Sequence, residues 1–260
     1  MSHHPSSPCL KSHPKRLLRA PTALALLLLG ACGPAETVEP EPVRCDASAV
    51  RCTEKSIDKF PLLTVASTVA PVEEGTVSGE FITYVDARAG GATAKESFLY
   101  ARFTPQGLVK VAVDDQAALA STEWDIAFRR YIIRVNSGVS GPSCTSVAQT
   151  PAGTTFDALK AVDTSWEFRP ESYYTEACEF VPDDSGIGAP AAQLGSYWTY
   201  KGCLAMTNKV FVVRLADGKH VKLQVMRYYD QTELQRSCDS GTASAVSGAA
   251  QLRVKWAFLP

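Results

Sequence analysis

The chain has 260 residues, and its 26 lysine and arginine side chains against 27 aspartate and glutamate side chains give a formal net charge of −1 at pH 7. This balance argues against a nucleic-acid partner, because neutralising phosphates requires clustered positive charge. The length is sufficient for one domain with a full core, particularly an all-β domain.

Residues 1–31 have the pattern of a secretory signal peptide. Basic residues without any acidic residue precede the apolar run 23–29, which is too short to span a bilayer. Gly30 and Ala31 then stand directly before Cys32, as small residues do in the bacterial lipobox. We therefore predict a lipoprotein signal peptide over residues 1–31, with Cys32 acylated and anchored in membrane lipid. An ordinary signal peptide that happens to end near a cysteine is the alternative.

Residues 32–44 are predicted to be a disordered, lipid-anchored tether, because Pro34–Pro42 is acidic, rich in proline and poor in apolar residues. Gly33, and not an aspartate, follows Cys32, which is typical of an outer-membrane lipoprotein. Which face of that membrane the domain occupies stays open. Four of the basic residues lie in residues 1–31, so the mature chain keeps 22 basic and 27 acidic side chains, a net charge of −5.

Cysteine usage also indicates export. Six cysteines follow Cys32, and an even number in an exported chain is most simply explained by three disulfide bonds. The six are Cys45, Cys52, Cys144, Cys178, Cys203 and Cys238. We expect Cys45 to pair with Cys52, because both lie in a short segment before the first strand. The other pairings stay open. No metal site is expected, since a zinc site would need a CxxC pair or histidine partners.

Strand patterns dominate the rest of the chain. Runs of β-branched and aromatic residues, often in alternation, predict strands at 80–85, 97–103, 108–113, 124–135, 210–215, 221–229 and 252–258. Asp217 and Gly218 supply the positive φ angles that a tight turn requires, which predicts a hairpin between the fifth and sixth of these strands. The last strand is expected to pair centrally in a sheet.

Helical patterns are few. Segments 117–120 and 156–162 predict short turns of helix, whereas 144–153 and 176–193 carry Pro, Gly, Ser and Asp without periodicity and predict long loops. The expected fold is therefore all-β, a single antiparallel domain over residues 45–260 with few short helices and long ligand-binding loops.

The segment 124–135 is apolar at nearly every position, which predicts a central strand, or an adjacent pair of strands, buried on much of both faces. Asp125, beside Trp124, is a candidate catalytic carboxylate. The structural interpretation, which we favour, is that Asp125 caps a turn or pairs with a buried arginine, either Arg129 or Arg134.

At this segment the sequence resembles a known family. The run WDIAFRRYIIRVNSGVSG, residues 124–141, is similar to the signature of the HmuY family of bacterial outer-membrane lipoproteins. Segments 209–214, 217–219 and 222–229 resemble that family's hairpin in order and spacing, and the resemblance extends over roughly residues 79–258. It implies an all-β domain whose finger-like loops grip haem. It also implies that the protein captures haem and passes it to a TonB-dependent receptor in the outer membrane.

The resemblance further implies axial ligands for the haem iron, typically a His or Met pair. The main candidates are Met206 and His220, and His220 is the only histidine after the predicted signal peptide. Met226 is a further candidate, but it lies six residues from His220, roughly 20 Å along a strand, so these two cannot hold one iron. Weaker candidates are Tyr173, Tyr174, Tyr197 and Tyr200. A family ligand pair does not map residue by residue onto this chain.

Two functions therefore stay open. The first is binding of haem or a related porphyrin through different or fewer ligands. The second is a non-catalytic surface lipoprotein of the same fold that binds another ligand or a protein partner without haem. An enzyme is not expected, because GxSxG, HExxH and P-loop motifs are absent from the sequence and His220 lacks an evident catalytic partner.

Overall fold

Antiparallel strands account for most of the regular structure in the computed structural model, which describes residues 45–54, 61–88 and 95–260. The strands are β1 (Val72–Val77), β2 (Glu80–Asp86), β3 (Leu99–Thr104), β4 (Gly107–Val111), β5 (Ile126–Arg129), β6 (Ile132–Val135), β7 (Ser146–Gln149), β8 (Trp198–Tyr200), β9 (Leu204–Met206), β10 (Val210–Arg214), β11 (His220–Arg227) and β12 (Gln251–Leu259). The helices are α1 (Asp115–Ala118) and α2 (Thr232–Ser240), and Gly195–Tyr197 forms one turn of 3-10 helix. The predicted all-β class is confirmed.

The described residues all fall within one compact unit, residues 41–260. The predicted signal peptide (1–31), the tether (32–44) and the acylation site Cys32 lie outside the described residues. Within the described part of the chain, no helix combines the length and the apolar character needed to cross a membrane.

The strands form two large sheets and one small hairpin. The first sheet has six strands in the order β1-β2-β12-β11-β10-β7, and the second has four in the order β4-β3-β5-β6. The small hairpin pairs β8 with β9. Because β12 lies between β2 and β11, the prediction that the last strand pairs centrally is confirmed.

The main core contains side chains from both large sheets. Phe81, Phe211 and Trp256 come from the six-stranded sheet and Phe128 from the four-stranded sheet, and each is at most 4% exposed. Trp256 stacks on Phe81 with 4.3 Å between ring centroids, and its indole N–H donates a 2.8 Å hydrogen bond to Thr83. Such an aromatic pair contributes about 0.5–1.5 kcal/mol beyond the area it buries.

The four-stranded sheet is buried on both faces, which explains the apolar run of the signature segment. In β5 and β6, Ile126 and Phe128 belong to the main core, whereas Ala127 and Ile132 belong to a second cluster around Trp124. Side chains alternate between the faces of a strand, so both faces need apolar residues. The segment is an adjacent pair of strands, one of the two predicted arrangements.

Two glycines of the signature allow close approach of neighbouring groups. A Cβ atom on Gly138, whose φ is +55°, would lie 2.1 Å from the backbone oxygen of Glu171. A Cβ atom on Gly141 would lie 2.0 Å from the side-chain oxygen of Asn136. The side-chain amide of Asn136 donates to the backbone oxygen of Trp124 at 2.8 Å. The NSGVSG end of the signature therefore serves to fold the chain back on itself after β6.

Asp125 has a structural role, but the predicted arginine partner was wrong. Its carboxylate accepts a 2.9 Å hydrogen bond from the backbone N–H of Phe103, and burial raises its pKa to about 6. Arg129 instead pairs with Asp115 at 3.1 Å, with both side chains fully buried. Arg134 bonds to hydroxyl groups of buried neighbours. Asp115, the first residue of α1, supplies the carboxylate that Arg129 contacts.

The six cysteines form three disulfide bonds, as predicted, but the expected pair was wrong. The bonds are Cys45–Cys144, Cys52–Cys178 and Cys203–Cys238, with sequence separations of 99, 126 and 35 residues. Residues 45–54 extend across loops that follow β6, where Ser48 donates a 2.9 Å backbone hydrogen bond to Pro142. The first two bonds therefore fasten the start of the domain to distant loops. Closing loops of this length stabilises a fold by about 3–5 kcal/mol per bond in the chain-entropy model.

Several other elements differ from the predictions. The segment 144–153 contains β7 and is not wholly a loop, and 156–162 forms turns without a helix. Side chains of the 156–168 segment, with Phe156 and Leu159 buried, pack against the outer face of the six-stranded sheet. The predicted hairpin of β10 and β11 is confirmed, with Gly218 at a φ of +82° in its turn.

Candidate functional site

Two cavities of ligand size lie side by side among the segments that connect the strands. The first, the Met226 cavity, has a volume of about 540 Å³. Its walls are the loop 150–157, residues 207–210 and the side chains of Gln224, Met226 and Lys255. Cavities of roughly 300–1,000 Å³ are typical of small-molecule and cofactor sites.

The second cavity, the Tyr200 cavity, has a volume of about 530 Å³. Segments 182–185 and 191–200 form most of its wall, and Gln149 completes it. Its charged lining residues are Asp183 and Asp184. The segments predicted to be long loops supply part of the lining, 150–153 in the Met226 cavity and 182–185 with 191–193 in the Tyr200 cavity.

Met226 lies on the face of β11 that lines the first cavity. Side chains alternate along a strand, so Met226 shares this face with Gln224, and both residues line the cavity. In the pairing of β11 with β12, Val225 lies opposite Val254 and Arg227 lies opposite Arg253, so Met226 also stands at a β-bulge. Met226 is 40% exposed. Its thioether is consequently available at the cavity wall as a soft ligand for iron.

The loop 150–157 is fixed over the sheet by two lysines. The ring of Phe156 lies 4.1 Å from the Nζ atom of Lys222 and 4.3 Å from that of Lys255. Lys222 also donates to the backbone oxygen of Phe156 at 3.0 Å, and Lys255 pairs with Asp157 at 2.8 Å. Lys222 lies on the outer face of the six-stranded sheet, where this loop covers it and leaves it 4% exposed. One wall of the Met226 cavity is therefore well anchored.

Lys209 separates the two cavities. It lines the Met226 cavity, and its Nζ atom donates hydrogen bonds to the side-chain oxygens of Gln149 at 2.9 Å and Ser196 at 3.0 Å. Gln149 and Ser196 both line the Tyr200 cavity. A single ammonium group thus stands at the boundary between two ligand-sized spaces.

Glu171 supports the wall of the Tyr200 cavity from behind. Its carboxylate accepts hydrogen bonds from the backbone N–H of Val135, at 3.1 Å, and of Gln193, at 3.0 Å. Gln193 lines the cavity, and Val135 ends β6. Burial raises the pKa of Glu171 to about 7, although both hydrogen bonds and the positive charge of Arg134 act in the opposite direction. The charged form of this carboxyl is therefore poorly solvated in the folded protein.

The structure does not bring the two main predicted iron ligands together. Met206 ends β9, is 7% exposed and packs in the main core, whereas His220 begins β11 beside the Asp217–Gly218 turn. Met206 lies before Val210, the first residue of β10, whereas His220 lies opposite Arg214, its last residue. The length of β10, roughly 13 Å by strand rise, lies between these two ends. Neither Met206 nor His220 lines the Met226 cavity or the Tyr200 cavity.

His220 is half-buried, not a freely exposed turn residue. Its ring lies 5.4 Å from that of Phe168. Burial, together with the nearby charge of Arg214, lowers its pKa. Of the weaker candidates, Tyr200 lines its cavity and is 48% exposed. The other three tyrosines are buried: Tyr173, Tyr174 and Tyr197.

A protein-only metal site is not formed by the described residues, among which no group of three or more His, Cys, Asp or Glu side chains is arranged to hold a metal ion. The six described cysteines are all in disulfide bonds and supply no thiolate ligand. Met226, a further candidate from the sequence, lines the first cavity. Its place at a bulge depends on the pairing of two strands, which no local pattern reveals.

Comparison with models of known protein families gives a clear match. The model of the HmuY protein family matches residues 82–238, more than half of the chain. Among solved structures, a candidate HmuY-like haem-binding protein of Bacteroides vulgatus is 19% identical, with a TM-score of 0.46, covering 73% of this chain and 97% of that one. An apo HmuY analogue of Tannerella forsythia is 13% identical, with a TM-score of 0.40, covering 73% and 97%. A candidate lipoprotein of Bacteroides fragilis is 15% identical, with a TM-score of 0.45, covering 72% and 94%. No curated protein matches significantly.

Proposed function

Since this chain belongs to the HmuY family, we propose that it is a binding protein without catalytic activity that captures haem or a related porphyrin at the cell envelope. In this proposal the porphyrin enters the Met226 cavity, and Met226 is an axial ligand of the iron. Cys32 anchors the protein in outer-membrane lipid, and the haem passes to a TonB-dependent receptor.

One observation carries the choice of site. Met226 is a thioether, 40% exposed, at the wall of a cavity of about 540 Å³. A porphyrin site needs an apolar cleft and at least one soft or nitrogen ligand for the iron. The Met226 cavity supplies the thioether, and the exposed residues Pro151 and Ala152 contribute apolar wall beside it. Met206 and His220 lie outside this cavity, and each would have to move to reach it.

A haemin titration of the purified protein tests the proposal. We expect a saturable shift of the Soret band, and we expect Met226→Leu to weaken binding at least about tenfold and to reduce the shift, because leucine keeps the volume but cannot ligate iron. Met206→Leu is the matched control, since it makes the same change in the core and should leave the titration unaltered. A featureless titration of the wild-type protein would favour the second function, a lipoprotein of the same fold that binds another ligand.

The anchor is tested separately from the ligand. We expect cells to incorporate labelled fatty acid into the wild-type protein and not into Cys32→Ser, and we expect the labelled protein in the outer-membrane fraction. Unlabelled wild-type protein recovered entirely in soluble fractions would contradict the proposed localisation.

A further inference from the structure

The charges around the Met226 cavity are unevenly compensated. Its charged lining residues are Asp157, Lys209 and Lys255. Lys255 pairs with Asp157 at 2.8 Å and with Glu80 at 3.2 Å, so its positive charge is already matched. Among the ion pairs of the described residues, none involves Lys209.

Lys209 instead uses neutral partners. Its two side-chain hydrogen bonds go to the amide oxygen of Gln149 and the hydroxyl oxygen of Ser196. A carboxylate attracts an ammonium group through a full negative charge, which a neutral amide or hydroxyl oxygen lacks, and this attraction is stronger where the ammonium is partly desolvated. An acid group of a ligand would therefore compete well for this lysine.

The position of Lys209 makes that competition geometrically simple. It lies at the boundary between the Met226 cavity and the Tyr200 cavity, and a lysine side chain has enough rotatable bonds to turn toward either one. Lys209 already lines the Met226 cavity, so a carboxylate at its rim would lie within reach of the ammonium group. The apolar body of the same ligand would then lie against Ala152 and Met226.

We infer that Lys209 is the specificity-determining residue that recognises an acid group of the ligand, and that the ligand class is a planar apolar molecule carrying at least one carboxylate. This inference rests on the proposed function for the site and deepens it, because iron ligation by Met226 does not say which residue recognises the acid groups that haem carries. Lys209 acts on the ligand directly, and Gln149 and Ser196 hold it in place until the ligand arrives.

The test compares two ligands that differ only in their acid groups. The purified protein is titrated with haemin and with haemin dimethyl ester, and dissociation constants are taken from quenching of tryptophan fluorescence. The wild-type protein should bind haemin about tenfold or more tightly than the ester. Lys209→Gln should lose most of this preference while binding the ester as the wild type does.

Two further variants make the result specific. Lys209→Arg keeps the charge and should keep the preference for haemin. Lys95→Gln removes an exposed lysine that lines neither cavity and should change nothing. An undiminished preference in Lys209→Gln would overturn the inference alone, and so would an equal loss of affinity for both ligands, which would mean that Lys209 only shapes the wall. If the wild-type protein bound neither ligand, the proposed function would fail together with the inference.

Discussion

The buried arginines of the signature segment and Lys209 use positive charge in opposite ways. Arg129 is enclosed against Asp115, at 3.1 Å, and Arg134 is enclosed among buried hydroxyl groups. Lys209 stands between two cavities, and its ammonium group donates hydrogen bonds to the neutral side chains of Gln149 and Ser196. The charges in the signature segment therefore build the fold, whereas the charge that we propose for a ligand lies at the start of the hairpin segment 209–214. The signature identifies the family but does not identify the ligand.

The largest expected effect comes from breaking the enclosed pair. Asp115→Ala leaves Arg129 buried without its carboxylate and also removes acceptors used by the backbone N–H of Phe98 and the hydroxyl of Tyr100. Removing one partner of a buried ion pair costs about 3–5 kcal/mol. We expect urea unfolding to show a loss of that size in the free energy of unfolding. A loss below about 1 kcal/mol would mean that the pair is not enclosed as described.

A second expected effect concerns a buried carboxyl that has no ion pair. The pKa of Glu171 is raised to about 7, above the value of about 4.3 expected in the unfolded chain. Between these values the folded state holds a proton that the unfolded state has lost, so the contribution of Glu171 to stability falls as the pH rises from about 4.5 to 7. The groups that face it are the guanidinium of Arg134 and the phenol of Tyr173, neither of which titrates in that range.

Urea unfolding of the wild type and of Glu171→Gln across this pH range measures the effect. The stability of the wild type relative to the variant should fall by up to roughly 3 kcal/mol from pH 4.5 to 7. A constant difference across the range would contradict the raised pKa. Asp125→Asn provides a comparison, because the pKa of Asp125 is raised in the same direction but only to about 6.

The smallest expected change in stability concerns two side chains at the cavity walls, in contrast to the buried Asp115. Lys209→Gln and Met226→Leu alter side chains at cavity walls that contribute little to the core. We expect each to change the free energy of unfolding by less than about 1 kcal/mol, measured by the same urea unfolding. A loss as large as that for Asp115→Ala would show that these residues hold the fold together and are not free to serve a ligand.

The sequence predicts the fold well where local chemistry decides it. Asp217 and Gly218 place the β10–β11 turn correctly, and strict alternation places β12. The sequence does not predict the elements whose formation depends on strand pairing and on tertiary packing. The strand β1 carries four polar or glycine positions in VEEGTV, and α2 has few apolar residues in TELQRSCDS, so neither has a clear periodic pattern.

The candidate site is less predictable than the fold. The disulfide partners of Cys45 and Cys52 are separated from them by 99 and 126 residues, and only the folded chain brings them together. The bulge at Met226 exists because β11 has one more residue than β12 at that point of their pairing. The position of Lys209 between two cavities depends on the segments 150–157 and 191–200. The sequence of neither segment has a regular alternation or helical periodicity of apolar residues.

The central claim is that the bound haem or porphyrin lies in the Met226 cavity and not against the buried sheets. Methionine occurs only at positions 1, 206 and 226, so methyl-labelled methionine reports on both candidate thioethers in one NMR spectrum. Gallium protoporphyrin is a diamagnetic substitute for haem, and its ring current shifts the NMR signals of nearby methyl groups. We expect the Met226 signal to shift with saturation while the Met206 signal stays in place. Saturable binding that leaves Met226 unmoved, or that moves Met206 instead, would contradict the account.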